Sequence, residues 1–197
     1  MKKITFNLAL LVFCTSMSFA DFDYTISNTY EFEIEIRGEE SLLVTGMGAD
    51  RITALDYSYV EIQNTAPYQA NVGGIHDLNL DGFSTLHFYD GEIVGLDIYS
   101  NAKAILEGGQ ISVIESLQDV FVGGDIIKHI EIKCLNYNFN SSTNLLTGTW
   151  LDNSQFSISL VDQPGYDPVI DNIFFTPEPA SIALLGLGGF LLRYKKN

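Results

Sequence analysis

The sequence predicts an all-β protein, a β-solenoid of parallel β-helix-like coils with a period of about 18 residues, closed by a C-terminal antiparallel strand module. Three observations predict it. Alternating apolar and polar residues punctuated by glycine recur throughout, whereas few long stretches show the 3.6-residue period of a helix. The segment "LNLDGFSTLHFYDGEI", Leu78 to Ile93, aligns without a gap on "LDIYSNAKAILEGGQI", Leu96 to Ile111, at an offset of 18 residues. From Ile130 the texture changes to three longer alternating runs.

Taken in order, the chain opens on a segment that reads as a leader. Lys2 and Lys3 precede a largely apolar run from Ile4 to Phe13, and Ser18-Phe19-Ala20 offers small residues for cleavage after Ala20, so residues 1–20 read as a signal peptide. Phe13 is too bulky to make Cys14 a lipidation site. The clearest strand is "YEFEIEI", Tyr30 to Ile36, with aromatic and aliphatic residues on one face and Glu31, Glu33 and Glu35 turned to water.

In the aligned pair, Leu78 matches Leu96, Asn79 matches Asp97, Leu80 matches Ile98, Phe88 matches Leu106 and Ile93 matches Ile111. Weaker copies close on Ile52, Ile75 and Ile126. A short strand, a glycine corner and an inward isoleucine therefore recur over residues 21–129. Asp90-Gly91 and Gly108-Gly109 equally suit hairpins, so a sandwich is the competing architecture. Residues 130–176 contain "HIEIKCLNYNF", "LLTGTWL" and "QFSISLVD", joined by turn-forming "NSSTN" and "DNS", and form the expected antiparallel cap; Trp150 is expected to anchor it.

Charge narrows the partners. Residues 21–176 hold 24 Asp and Glu against five Lys and Arg, a formal −19. Phosphate recognition needs clustered Lys and Arg, so nucleic acid is excluded as a partner. Cys134 stands alone once the leader is removed and alternates with polar neighbours, as a half-buried strand residue does.

The chain ends on "TPEPASIALLGLGGFLLRYKKN". Pro177, Glu178 and Pro179 precede an apolar run with Ala180, Leu184, Leu187, Phe190 and Leu192, and the basic residues Arg193, Lys195 and Lys196 follow. As a helix the run spans about 20 Å, short of a hydrocarbon core of about 30 Å. Its glycines and apolar circumference argue against a soluble helix, and its basic end suits a cytoplasmic flank. This order resembles the PEP-CTERM sorting signal of Gram-negative bacteria, over residues 177–197. The resemblance implies recognition of Pro177, Glu178 and Pro179 by an exosortase, transient inner-membrane contact, and delivery to the cell surface or an exopolysaccharide matrix. The implied role is structural or adhesive.

The chemical motifs are weak. "DLNLDG", Asp77 to Gly82, opens like a calcium loop, but the closing twelfth position is Phe88, and a solvated strand face is the expectation. Asn79, Asp97, Asp90 and Glu107 could line the face of a carbohydrate-active β-helix enzyme, a polysaccharide lyase or hydrolase. So many carboxylates pair by chance, however, and no cofactor or metal is implied. His76, His87 and His129 lack metal-ligand spacing. Tyr57, Tyr59, Tyr89 and Tyr99 are candidates for stacking on a polysaccharide. Ice binding, a weaker alternative, would need a regular threonine face that the aligned positions do not provide. The reading from sequence is thus a noncatalytic protein.

Overall fold

The computed structural model describes residues 21–117 and 129–176. The strands are β1 (Tyr24–Ile26), β2 (Tyr30–Ile36), β3 (Ser41–Val44), β4 (Gly48–Ala54), β5 (Tyr59–Ile62), β6 (Gly74–Leu80) and β7 (Thr85–Phe88). Then come β8 (Glu92–Tyr99), β9 (Lys103–Leu106), β10 (Gln110–Leu117), β11 (Ile130–Asn140), β12 (Leu145–Trp150) and β13 (Gln155–Val161). A single-turn 3-10 helix, Val169–Asn172, precedes β14 (Ile173–Thr176).

These strands make one sheet. Its path runs β1-β3-β5-β7-β9-β11-β12-β13-β10-β8-β6-β4-β2, with β14 on the side of β11. The odd-numbered strands to β11 form one parallel ladder and the even-numbered strands to β10 another. β11 continues past Ile132 and turns antiparallel into β12, β12 turns into β13, and β13 joins β10 in parallel. The two ladders are thereby stitched into a nearly closed mixed barrel whose seam lies between β1 and β2.

This architecture corrects the expected β-solenoid with a separate antiparallel module. No single period runs through the ladders. The offset between paired residues is 18 for Ile75↔Ile93 and Ile93↔Ile111, 26 for Gly48↔Gly74, Tyr59↔Thr85 and Ala104↔Ile130, and 46 for Ile114↔Leu160. Register is set instead by apolar partners across the strands, which tolerate insertions between them. The competing hairpins are absent as well: β7 and β8 flank Asp90-Gly91 without pairing with each other.

The core lies between the ladders. Ile52, Leu78, Leu96 and Ile114 stack in register from the even-numbered strands, and Leu42, Val60, Leu86 and Ala104 from the odd-numbered ones, all buried. Fully burying one such aliphatic side chain contributes about 1.5–3 kcal/mol. Trp150 is fully buried against Phe156, and its indole N–H donates to the Gly109 carbonyl at 2.9 Å, tying β12 to the corner before β10.

Strict alternation fails once per even-numbered strand. Ala49 and Ile52 are both buried with Asp50 and Arg51 outside between them, and Ile75/Leu78, Ile93/Leu96 and Ile111/Ile114 repeat the pattern. The pairing skips Phe32, Asp50, His76, Val94 and Ser112 at this level, as a stacked bulge does. On β2 this places Glu31, not Phe32, in line with buried Ala49 and Ile75. Glu31, Glu33 and Glu35 are exposed as expected, but the expectation that the aromatic residues face inward is corrected: Phe32 is 71% exposed.

Candidate functional site

On the outer face of the odd-numbered ladder, sequence positions two apart fall in rows. Val44, Ile62, Phe88, Leu106 and Ile132 point inward in register, so their successors Thr45, Gln63, Tyr89, Glu107 and Lys133 form an outward row. A second row carries Glu61, His87, Ile105 and Glu131. The two rows interlock. The Tyr89 hydroxyl meets His87 Nδ1 at 3.1 Å, His87 Nε2 meets Glu107 Oε1 at 2.9 Å, and Lys133 Nζ donates to the same Oε1 at 2.6 Å. The Tyr59 hydroxyl donates to Glu61 at 3.0 Å and the Gln63 amide donates to its other oxygen at 2.7 Å.

The protonation states follow from this packing. Burial alone would push the Glu107 carboxyl up, but the hydrogen bonds from Lys133 and His87 outweigh it and hold the group below its ordinary value. Burial, then the Glu61 carboxylate, pushes the Tyr59 phenol up, and burial with Glu61 and Glu107 does the same to Tyr89. Both phenols therefore keep their protons, and the Tyr59 hydroxyl donates to Glu61.

Beside these rows the chain turns the corner toward the even-numbered ladder, and there a groove of about 810 Å³ opens. Its walls include Met47, Asn64, Ala66, Pro67, Asp90, Glu92 and Gln110. Gly91 makes the corner possible: its φ is +110°, and a Cβ there would stand 2.5 Å from the Thr65 Oγ1. That hydroxyl accepts the Glu92 N–H at 2.8 Å, while Glu92 Oε2 accepts the Tyr68 N–H at 2.8 Å, so the 63–73 loop is pinned over the corner. Asp90 accepts the Gly91 N–H at 2.7 Å and is exposed.

The residues singled out from sequence separate. Tyr59, Tyr89 and Glu107 share the outer face just described, and Asp90 lines the groove. Asn79 and Asp97 lie on the other face, in register with each other and with Glu115. Burial, then the Glu115 and Asp77 carboxylates, pushes the Asp97 carboxyl up to about 6. Tyr57 stacks on Phe83 at another corner, ring centroids 5.1 Å apart, and Tyr99 ends β8. "DLNLDG" is strand β6 for its first four residues, too extended to wrap one ion, and Asp81 bonds the Gly82 N–H and Ser100 hydroxyl instead. Among the described residues no group of three His, Cys, Asp or Glu could hold a metal. His129 is buried; burial and then Lys103 push its pKa down. Cys134 is buried too, and burial pushes its thiol up.

Sequence reasoning weighed His87 only as a metal ligand and did not single out Lys133 or the amides Asn64 and Gln110; His87 and Lys133 are the ones that meet Glu107. His87 and Lys133 become neighbours of Glu107 only through offsets of 20 and 26 residues, which no short motif spans.

No family model, no curated protein and no solved structure matches the chain. The resemblance to PEP-CTERM proteins is withdrawn on that finding, and with it the exported, matrix-associated structural or adhesive role. The alternatives of a carbohydrate-active β-helix enzyme and an ice-binding protein fall with the solenoid. The expected transmembrane helix and surface location are withdrawn with that resemblance; among the described residues no helix is long and apolar enough to cross a membrane. Residues 1–20, with cleavage at Ala20, and residues 177–197, with Pro177, Glu178, Pro179, the apolar run and the basic end, lie outside the described residues.

Proposed function

We propose that this domain is a noncatalytic binding module whose corner groove takes a neutral, hydroxyl-rich chain such as a glycan. The groove carries this reading. Asn64 and Gln110 each offer an amide that both donates and accepts, Asp90 offers an acceptor, and Met47, Ala66 and Pro67 supply apolar surface for the C–H faces of a sugar. Asp90 and Glu92 on a chain of formal net charge −15 repel anionic ligands.

Two features favour binding over catalysis. Glu92 is committed to the Tyr68 N–H and Asp90 to the Gly91 N–H, so neither is poised as an acid or base. The carboxyl that burial raises, Asp97, lies on the opposite face.

Titration calorimetry against neutral oligosaccharides of cellulose, starch and chitin type tests the reading. Binding that Asn64→Ala and Gln110→Ala each weaken about tenfold, with Asp97→Asn unchanged, supports it. Absence of binding across the series, or binding indifferent to both amides, overturns it.

A further inference from the structure

The two ends of the strand path meet at the seam, and neither is paired outward among the described residues: β1 bonds only β3, and β2 only β4. Two features distinguish the β2 edge. The inward ladder Ile111, Ile93, Ile75, Ala49 terminates there on Glu31, whose carboxylate accepts the Thr29 hydroxyl at 3.0 Å. Around it, residues 21–40 hold Asp21, Asp23, Glu31, Glu33, Glu35, Glu39 and Glu40 against the single cation Arg37.

The backbone at this edge is available. The Ile36 carbonyl accepts the Leu55 N–H at 3.0 Å, so Ile36 and Ile34 turn their polar groups to β4. By alternation Glu33 and Glu35 turn theirs outward. A second copy does not suit this edge. A two-fold contact lays β2 antiparallel on itself, and centred on Glu33 it sets Glu31 against Glu35 of the other copy, a like-charge pair. Arg51 of β4 shows what does suit it: its guanidinium lies 3.9 Å from Glu33 and 3.5 Å from Asp77.

We propose that the β2 edge docks an extended segment of another protein that carries Lys or Arg at alternate positions, adding a strand to the even-numbered ladder. Main-chain bonds to Glu33 and Glu35 supply the pairing, and the cations answer the glutamates. Exposed Phe32 gives the added strand an aromatic neighbour.

The test uses the full chain and a fluorescein-labelled heptapeptide of alternating Lys and Val, followed by fluorescence anisotropy. Three controls accompany it: the same composition as a Lys block and a Val block, an alternating Glu and Val peptide, and the alternating Lys peptide N-methylated along one edge. The alternating Lys peptide is expected to bind at least tenfold more tightly than every control, and Glu33→Pro, which removes one outward N–H, is expected to lose that margin. Because N-methylation alters the probe alone, it gives the same answer should Glu33→Pro fail to fold. Equal binding of the block peptide means charge attraction without strand addition and overturns the proposal. So does no binding, or a concentration-dependent dimer of the chain that Glu33→Pro dissolves.

Discussion

Replacing Asp97 by Asn should stabilise the protein above neutral pH and do little in acid. Asp97 sits on β8 between Asn79 of β6 and Glu115 of β10, half-buried, with its carboxyl pushed up to about 6 by burial and then by Glu115 and Asp77. In the unfolded chain an aspartate titrates near 3.9. The folded state therefore holds the proton more tightly, so a penalty on folding is absent below about pH 4, grows as pH rises and is complete above about pH 6 to 7. At about 1.36 kcal/mol per pH unit the full shift corresponds to about 3 kcal/mol. Solvent reaches half of the group, and discounting for its screening leaves about 1–2 kcal/mol. Urea unfolding of Asp97→Asn and the parent at pH 8 and pH 4 measures it. The expected result is a gain of about 1–2 kcal/mol at pH 8 that disappears at pH 4. Taking the difference between the two pH values removes any hydrogen bonding of the new amide to Asn79, which is present at both. An equal effect at both pH values, or a loss at pH 8, would refute the argument from burial and like charge.

Two further substitutions probe the corner that joins the two ladders. Gly109→Ala should cost about 2–4 kcal/mol, since its φ is +70° and a Cβ would stand 2.6 Å from the Phe88 ring and 2.8 Å from the Gly91 carbonyl; chemical denaturation showing a change under 0.5 kcal/mol would contradict the register of that corner. Trp150→Phe should cost about 1–2 kcal/mol by leaving the Gly109 carbonyl without the indole donor at 2.9 Å, and the comparison Phe156→Leu, which keeps that bond, separates it from lost packing.

Individual strands were legible in the sequence because alternation is a local property. The aligned positions Leu78 and Leu96, Leu80 and Ile98, and Phe88 and Leu106 are direct register partners. Alternation misled where the fold departs from it. Two consecutive outward residues per even-numbered strand shift the inward set by one, which moved Glu31 into line with Ala49 and pushed Phe32 outside. A seven-residue strand that reads as perfectly amphipathic carries no mark of such a bulge, since the bulge is imposed by the neighbouring strands. The stitching of the ladders was equally hidden. β11 is one continuous run of eleven residues, yet its first part pairs in parallel with β9 and the rest antiparallel with β12, a choice made by partners far along the chain.

The same departure explains why a site exists at all. Glycines bring successive turns into contact at the corners, as at Gly109, where a Cβ would stand 2.8 Å from the Gly91 carbonyl. Between Ile62 and Gly74 the chain takes the longer step of 26 from one register partner to the next, and the additional residues form the 63–73 loop. That loop supplies Asn64, Thr65, Ala66 and Pro67 to the groove and is pinned there by the Thr65 and Glu92 bonds. An insertion is tolerated because register depends on the flanking apolar pairs Val60↔Leu86 and Ala49↔Ile75, which it leaves untouched. The residues that interrupt the repeat therefore supply part of the cavity wall, and shortening 63–73 to the length of the other corners should preserve both ladders while abolishing ligand binding.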